Sequence, residues 1–310
     1  MRLGFALPQV GPAAGPEALV AVAKRAEALG FNDVWVLDRV LAPLAPRTPY
    51  PGSPDGKLPE VSRRVIDPFA ALTFVAARTK RVGLGTSVLN LPFYNPVLLA
   101  RQLTAIDVLS RGRLRVGFGT GWSEDEYEAV GASMQQIGRR VAEAEQVLKT
   151  IWTTDPAEFH GEFFHVAASV ILPKPVQQPH PKIYWAAYTP AAMRRVARTA
   201  DGWMPAGLPI DGIGRMFGLL KGMAQDAGRD PRALELVVRA NVAFTATPLE
   251  NNRPSFAGTP DQLKADIAAT RRLGASGLIF DVQFSPGIDT PAKIIERMEQ
   301  LRSLAAAVIT

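Results

Sequence analysis

The feature that most constrains the fold is the stretch 81–122, which predicts a strand, a helix and another strand in immediate succession. Residues Val82–Leu89 alternate in character and include β-branched side chains, a pattern that is typical of a pleated strand. Asn95 and Pro96 predict a helix start, because an asparagine oxygen caps free N–H groups and proline suits the first turn. The next strand begins at Arg113 with almost no connecting loop. Two strands joined by one helix in this way lie parallel, as a βαβ unit.

The same alternation of strand and helix recurs along the whole chain. We predict eight strands, at residues 2–9, 33–39, 82–89, 113–122, 182–188, 201–207, 234–246 and 277–282. Insertions are predicted at about 40–66, 154–181 and 246–258, the second of them as a hairpin. Eight units without a break in composition favour a single (β/α)8 TIM-barrel domain over residues 1–310. An open doubly wound sheet is the competing fold.

Composition excludes several classes of function. The 310 residues contain no cysteine, which excludes disulfides, thiolate metal sites and cysteine nucleophiles and suits a reducing cytoplasm. The net charge is +6, but basic residues never run beyond pairs and acids are interleaved, so we expect no nucleic-acid partner. No segment predicts a signal peptide or a membrane span. The three histidines, His160, His165 and His180, lie in the hairpin insertion without a carboxylate cluster, so no metal site is expected.

Glycines leave one face of two neighbouring strands without side chains. Gly83 and Gly85 lie two apart in the third strand, and Gly117, Gly119 and Gly121 repeat this spacing in the fourth. The bare faces predict room for a flat ligand, or for an anion near backbone N–H donors. Close packing of a helix on the sheet is the alternative. A dinucleotide-binding fold is not supported, because the helix and acidic residue of its fingerprint are missing in the right register.

Several linked motifs carry a resemblance to a known family. They are TSVL at Thr86–Leu89, YNP at Tyr94–Pro96, LSRGR at Leu109–Arg113 and GTGW at Gly119–Trp122, continued by Asp38, Arg140 and Thr189. The chain resembles the bacterial-luciferase-like superfamily of flavin and deazaflavin oxidoreductases, and it is most similar to the branch that uses coenzyme F-420. The resemblance implies a TIM barrel, a cytoplasmic homodimer and hydride transfer between the deazaflavin and a small organic substrate. Alternatives are an FMN-dependent monooxygenase supplied by a partner reductase, and a non-catalytic flavin-binding barrel.

The resemblance also implies a set of site residues. Asp38 and Arg39 are the catalytic residues that the resemblance implies. Asp38 is expected to meet the polar edge of the ring or to orient its neighbour. Arg39 replaces the histidine that serves many relatives as proton donor, and it could clamp an anionic substrate or stabilise a developing enolate. Ser87 and Val88 match a bulge with a non-prolyl cis peptide that supports the ring. The cofactor-binding residues implied are Asp38, Ser87, Val88, Asn90, Gly119, Thr120, Gly121, Arg140, Tyr188, Thr189, Ala191 and Ala192.

Structural alternatives exist for most of these residues. Asp38 could cap the turn after its strand, and Ser87 could end an ordinary trans strand. Arg140 could form a surface pair with Glu143, one helical turn away. Trp122 stands where the sugar-phosphate dehydrogenases of the group carry a glutamate, so that substrate class is not expected.

Overall fold

The computed structural model describes residues 1–309 and shows a closed barrel of eight parallel strands. They are β1 (Arg2–Ala6), β2 (Asp33–Val36), β3 (Gly83–Thr86), β4 (Leu114–Gly119), β5 (Ile183–Trp185), β6 (Gly202–Trp203), β7 (Glu235–Asn241) and β8 (Gly277–Asp281). Each strand pairs in parallel with the next one along the chain, and β8 pairs with β1. The closure confirms the predicted TIM barrel and excludes the open sheet.

Nine helices among the described residues surround the barrel. They are α1 (Pro16–Ala28), α2 (Pro68–Ala76), α3 (Pro96–Ser110), α4 (Glu124–Ala129), α5 (Ile137–Thr153), α6 (Pro190–Thr199), α7 (Ile210–Asp226), α8 (Pro260–Arg272) and α9 (Pro291–Ile309). Six of the nine begin at a proline. Proline has no backbone N–H, and the N–H groups of a first helical turn have no partner within the helix, so nothing is lost there. The predicted Asn95 cap is confirmed, since its side chain accepts from the N–H groups of Val97 and Leu98. Within residues 1–309, no helix combines the length and the apolar character that crossing a membrane requires.

The insertions take three different forms. Strands Ala157–His160 and His165–Ser169 form the predicted antiparallel hairpin. Residues 40–66 contain a short 3-10 turn, at Glu60–Arg63, and an isolated antiparallel bridge from Val65 to Val10. The predicted seventh strand at 234–246 is too long, because the barrel strand ends at Asn241 and a separate pair, Ala243–Phe244 with Ala257–Gly258, follows it. Val242 still donates its N–H to Asp281 of β8, but the next two residues pair with the insertion instead of with a barrel strand.

The interior of the barrel is filled in layers by residues that alternate along the strands. The middle layer contains Trp35, Met204, Val237 and Ile279, which pack on one another. This layer corrects the prediction of a ligand slot along the glycine faces. A Cβ atom on Gly85 would lie 2.1 Å from the Trp35 ring, so the lower glycines accommodate the protein's own side chains.

Gly83 of β3 and Gly117 of β4 are also crowded by the protein's own atoms. A Cβ atom on Gly83 would meet the Asp33 carboxylate at 2.1 Å, and one on Gly117 would lie 2.2 Å from the Thr86 carbonyl oxygen and 3.0 Å from the Met204 sulfur. A ligand therefore has room only beyond these three glycines, at the carboxyl ends of the strands.

Candidate active site

A cavity of about 580 Å³ opens at the carboxyl ends of the barrel strands. This is the end at which (β/α)8 enzymes carry their active sites, and the volume is in the usual range for small-molecule and cofactor pockets. Nine of the predicted site residues line it: Asp38, Arg39, Ser87, Val88, Asn90, Gly119, Thr120, Gly121 and Tyr188. The fold therefore brings together residues from the ends of β2, β3, β4 and β5.

One wall of the cavity is the bulge that follows β3. The Ser87–Val88 peptide is cis, as the resemblance implies, and the chain continues at Leu89–Asn90 as a short strand beside Phe118–Gly119. The Val88 side chain lies directly against Gly119, where a Cβ atom would be only 2.7 Å from Val88 Cγ2. Gly119 thus shapes the cavity at this wall, because its bare backbone keeps the wall flat.

Asp38 lies at the edge of this wall, directly after β2, and is only 8% exposed. Its Oδ2 accepts the backbone N–H of Asn90 at 2.9 Å, and the Tyr94 hydroxyl is a second hydrogen-bond partner. Burial raises the pKa of the Asp38 carboxyl to about 6, the two hydrogen bonds oppose this shift, and the nearby carboxylates Glu126 and Asp67 add to it. Asp38 therefore faces the cavity with a carboxyl that titrates near neutral pH.

Arg39 has partners that the sequence did not reveal. Its Nη1 donates to Glu126 Oε2 at 3.2 Å, and its guanidinium lies over the Trp122 ring, 5.1 Å from the centroid. Glu126 is 1% exposed and also accepts the N–H of Val40 at 2.8 Å. Arg39 is therefore a neutralised, stacked side chain and not a free clamp for an anionic substrate. The acidic start of α4 was visible in the sequence, but nothing local pointed from it to Arg39.

The insertion at 40–66 forms the roof of the cavity. Tyr50 lines the cavity and packs its ring on Trp122, with centroids 5.4 Å apart. Arg47 holds the insertion to α4 through ion pairs with Asp125, at 2.9 Å, and with Glu128. The roof thus screens the cavity from water and contacts the same tryptophan that supports Arg39.

The wall opposite the bulge carries an ion pair that sequence reasoning missed. Arg239 of β7 lines the cavity and donates to Asp281 at the end of β8. Asp281 also accepts the N–H of Gln283 at 2.9 Å. The Tyr188 hydroxyl accepts the N–H of Ala206 at 3.0 Å, and burial raises the pKa of this phenol. The alternating pattern of β7 could have placed Arg239 inside the barrel, but it could not have identified its partner.

Four predicted residues do not line the cavity. Arg140 stacks on Phe163 of the hairpin insertion, 4.4 Å from the ring centroid. The alternative pair with Glu143 is not formed either, because that carboxylate accepts backbone N–H groups at 162–164. Arg140 therefore belongs to the anchoring of the hairpin. The other three residues, Thr189, Ala191 and Ala192, form the start of α6 beside the cavity, where the Thr189 side chain caps the N–H of Ala192 at 3.3 Å.

The residues present suit a flat, phosphorylated cofactor. The bulge and Gly119 provide a planar wall, Asn90 and Thr120 provide polar groups beside it, and the start of α6 offers backbone N–H donors at the positive end of a helix. Among residues 1–309, no cluster of histidine, aspartate or glutamate could hold a metal ion.

Comparison with known proteins identifies the family. The model of the luciferase-like monooxygenase family matches residues 1–307. An uncharacterized protein of Mycobacterium tuberculosis is 34% identical over 212 residues, which are 68% of this chain and 72% of that protein. The F-420-dependent glucose-6-phosphate dehydrogenase of Amycolatopsis mediterranei is 33% identical over 194 residues, or 61% of this chain and 53% of the enzyme.

Two further matches have names that point to oxygen chemistry. The FMNH2-dependent dimethylsulfone monooxygenase of Pseudomonas putida is 28% identical over 257 residues, or 75% of this chain and 69% of that enzyme. The crystal structure of a monooxygenase from Streptomyces bottropensis shares the fold, with a TM-score of 0.80 at 24% identity over the full length of both chains. The chain belongs to the luciferase-like monooxygenase family and is an oxidoreductase of that family.

Proposed function

We propose that this protein is a coenzyme F-420-dependent oxidoreductase that transfers a hydride to or from a small organic substrate. The observation that carries the proposal is the cavity wall made by the cis Ser87–Val88 bulge and Gly119, with a buried carboxyl, Asp38, at its edge. The motifs that build this wall resemble most those of the deazaflavin branch. The F-420-dependent relative, 33% identical, supports the same choice.

The cavity suggests how each group would hold the cofactor. The bulge would support the back of the tricyclic ring, while Asn90 and the turn Gly119–Gly121 would contact its polar edge and side chain. The phosphorylated arm would extend past Tyr188 to the N–H groups at the start of α6, where the helix dipole favours an anion. Arg140, also predicted for the phosphate, lies over Phe163 of the hairpin, and its buried Nε has no hydrogen-bond partner among residues 1–309.

The cofactor, when bound, supplies the hydride. The protein's own residues orient the substrate and exclude water: the roof, with Tyr50 on Trp122, covers the ring site, and Arg239 on the far wall presents N–H donors to a substrate acceptor. Trp122 stands where the sugar-phosphate dehydrogenases carry a glutamate, so this part of the roof is an aromatic pair in place of a carboxylate. The substrate is therefore proposed to be a small carbonyl or unsaturated compound and not a sugar phosphate.

The rival function is an FMN-dependent monooxygenase that receives reduced flavin from a partner reductase. Its support is the 28% identity to an FMNH2-dependent enzyme. Both cofactors present a tricyclic ring and a phosphorylated arm to the same wall.

A binding titration distinguishes the two. Purified protein is titrated with coenzyme F-420 and, separately, with FMN, and binding is followed by cofactor fluorescence. The proposal expects tighter binding of F-420; tight FMN binding without a response to F-420 would establish the rival.

A matched pair of glycine variants tests the wall itself. In Gly119→Val the new side chain must displace Val88, so we expect at least tenfold weaker binding of the preferred cofactor. Gly218→Ala is the control, because this glycine is exposed in α7 and an added methyl group would meet no atom within 4 Å. Equal affinity of the two variants would contradict the placement of the ring.

A further inference from the structure

Five cavity-lining residues carry an ionisable or phenolic side chain: Asp38, Arg39, Tyr50, Tyr188 and Arg239. Two of them are guanidinium groups, which keep their protons in proteins and are poor acids. Both are also paired, Arg39 with Glu126 and Arg239 with Asp281.

The two tyrosines are occupied in other ways. Tyr50 stacks on Trp122 in the roof, away from the bulge wall. The Tyr188 hydroxyl exchanges hydrogen bonds with the backbone of Ala206, and burial raises the pKa of this phenol. Among the described residues that line the cavity, Asp38 is thus the one side chain suited to give up and regain a proton during turnover.

We propose that Asp38 is the acid–base residue of this enzyme and fills the role that a histidine at position 39 has in many relatives. The inference rests on the proposed hydride transfer. In the reductive direction a hydride adds to the substrate carbonyl carbon, and the C=O π electrons move to oxygen. The proton on the Asp38 carboxyl goes to that oxygen, and solvent then reprotonates the carboxylate. In the oxidative direction Asp38 accepts the hydroxyl proton as the hydride leaves.

The hydrogen bonds of Asp38 support this role. The N–H of Asn90 and the hydroxyl of Tyr94 both donate to the carboxyl, so they orient it without supplying a compensating positive charge. The Asn90 donor belongs to the segment directly after the cis bulge, so the acid and the ring support are held by the same piece of backbone. A proton donor placed in this way keeps a constant position relative to the ring.

The charges around Asp38 favour its protonated form. Glu126 of α4 and Asp67, which caps α2, are acidic neighbours that raise the pKa of the Asp38 carboxyl. Arg39, next in the chain, is directed to Glu126 at 3.2 Å. Burial contributes most, and the pKa of about 6 leaves a usable fraction of both protonation states near neutral pH.

The test compares Asp38→Asn with Asp230→Asn, an exposed aspartate remote from the cavity. Asparagine has the shape of aspartate and can still accept the Asn90 N–H, so the variant is expected to fold. The first readout needs no cofactor: the aspartate carboxyl carbons of the 13C-labelled protein are titrated by NMR. We expect one resonance with a pKa near 6 in the wild type and in Asp230→Asn, and its absence in Asp38→Asn.

The second readout is reduction of the carbonyl group of cyclohexanone by reduced F-420 as a function of pH. We expect Asp38→Asn to lose at least a hundredfold in kcat at saturating F-420 and to lose the pH dependence near 6, so that the loss lies in the proton step and not in cofactor binding. Either a carboxyl that titrates entirely below pH 5, or a variant that keeps the wild-type rate and pH profile, would overturn the inference. Failure of the wild type to bind F-420 would instead refute the proposed function, and the carboxyl titration would still decide the properties of Asp38.

Discussion

The two ends of the barrel interior differ in what their charged residues do. At the amino end, Asp33 binds Arg2 at 2.8 Å and Arg115 at 3.0 Å, and Tyr184 connects Arg115, at 3.0 Å, to Glu235, at 2.7 Å. The space left among them is about 10 Å³, room for a single water. This layer closes the barrel with a complete network of ion pairs and hydrogen bonds.

At the carboxyl end, the charged residues line a cavity of about 580 Å³ instead of filling it. Arg39 and Arg239 each have one acidic partner, and Asp38 has hydrogen-bond donors but no cation. Because buried charges cost free energy unless they are fully paired, the incomplete pairing at this end indicates a ligand-binding role. The comparison predicts that substitutions at the amino end change stability, whereas those at the carboxyl end change binding and pH dependence.

The largest effect is expected for Asp33→Ala. The substitution leaves the guanidinium of Arg115, which is mostly buried, without its carboxylate, so the free energy of unfolding should fall by about 3 kcal/mol. Urea denaturation measures it. Asp281→Ala is the counterpart at the carboxyl end. Because Arg239 faces the open cavity there, the free energy of unfolding should fall by less, and a loss of about 3 kcal/mol would contradict the comparison.

A second prediction concerns the pH dependence of stability through Asp38. Its pKa is raised from 3.8 to about 6 in the folded protein, so folding favours the protonated form. The contribution of Asp38 to the free energy of unfolding is thus most favourable below pH 4, falls between about pH 4 and 6, and stays at a constant penalty above that range. At 1.4 kcal/mol for each pKa unit, the penalty is about 3 kcal/mol.

Asp38→Asn removes this penalty. Its free energy of unfolding should exceed that of the wild type by up to about 3 kcal/mol at pH 7.5, and the difference should vanish near pH 3.5. Thermal unfolding over this pH range measures it. A difference independent of pH would show that the carboxyl titrates normally.

A smaller change in stability is expected for Arg239→Gln. Asp281 is buried, but it keeps the N–H of Gln283 as a donor and the glutamine amide can replace one guanidinium N–H, so the loss should be about 2 kcal/mol. The affinity for a ketone or enone ligand in the cofactor-loaded protein should nevertheless fall at least tenfold. Unchanged affinity would remove Arg239 from the substrate wall.

The smallest effect on global stability is expected for Arg47→Ala. Both of its ion pairs lie at the surface, where such pairs contribute little. The roof, however, loses its attachment to α4. We expect an unchanged urea midpoint and faster hydrogen exchange at residues 40–58, and an unchanged exchange rate would mean that the Tyr50–Trp122 contact alone holds the roof.

Much of the architecture could be predicted from local patterns. The number of strands, the proline-led helices, the Asn95 cap and the hairpin insertion all depend on residues within a few positions of one another. The cis bulge at Ser87–Val88 was predicted by its motif, through the family resemblance and not through physical chemistry. The strand at 234–246 was predicted too long, since an apolar run does not show where a strand exchanges a barrel partner for another one.

The sequence by itself determined the barrel, the end at which its active site lies and most residues of the bulge wall. Only the tertiary structure decided that Trp35 fills the lower glycine faces, that Glu126 neutralises Arg39, and that Arg140 packs in the hairpin. The physical reason is range. Caps and periodicity act over three or four residues, whereas the partners of a side chain inside a barrel come from strands far apart in the chain and meet only when the barrel closes.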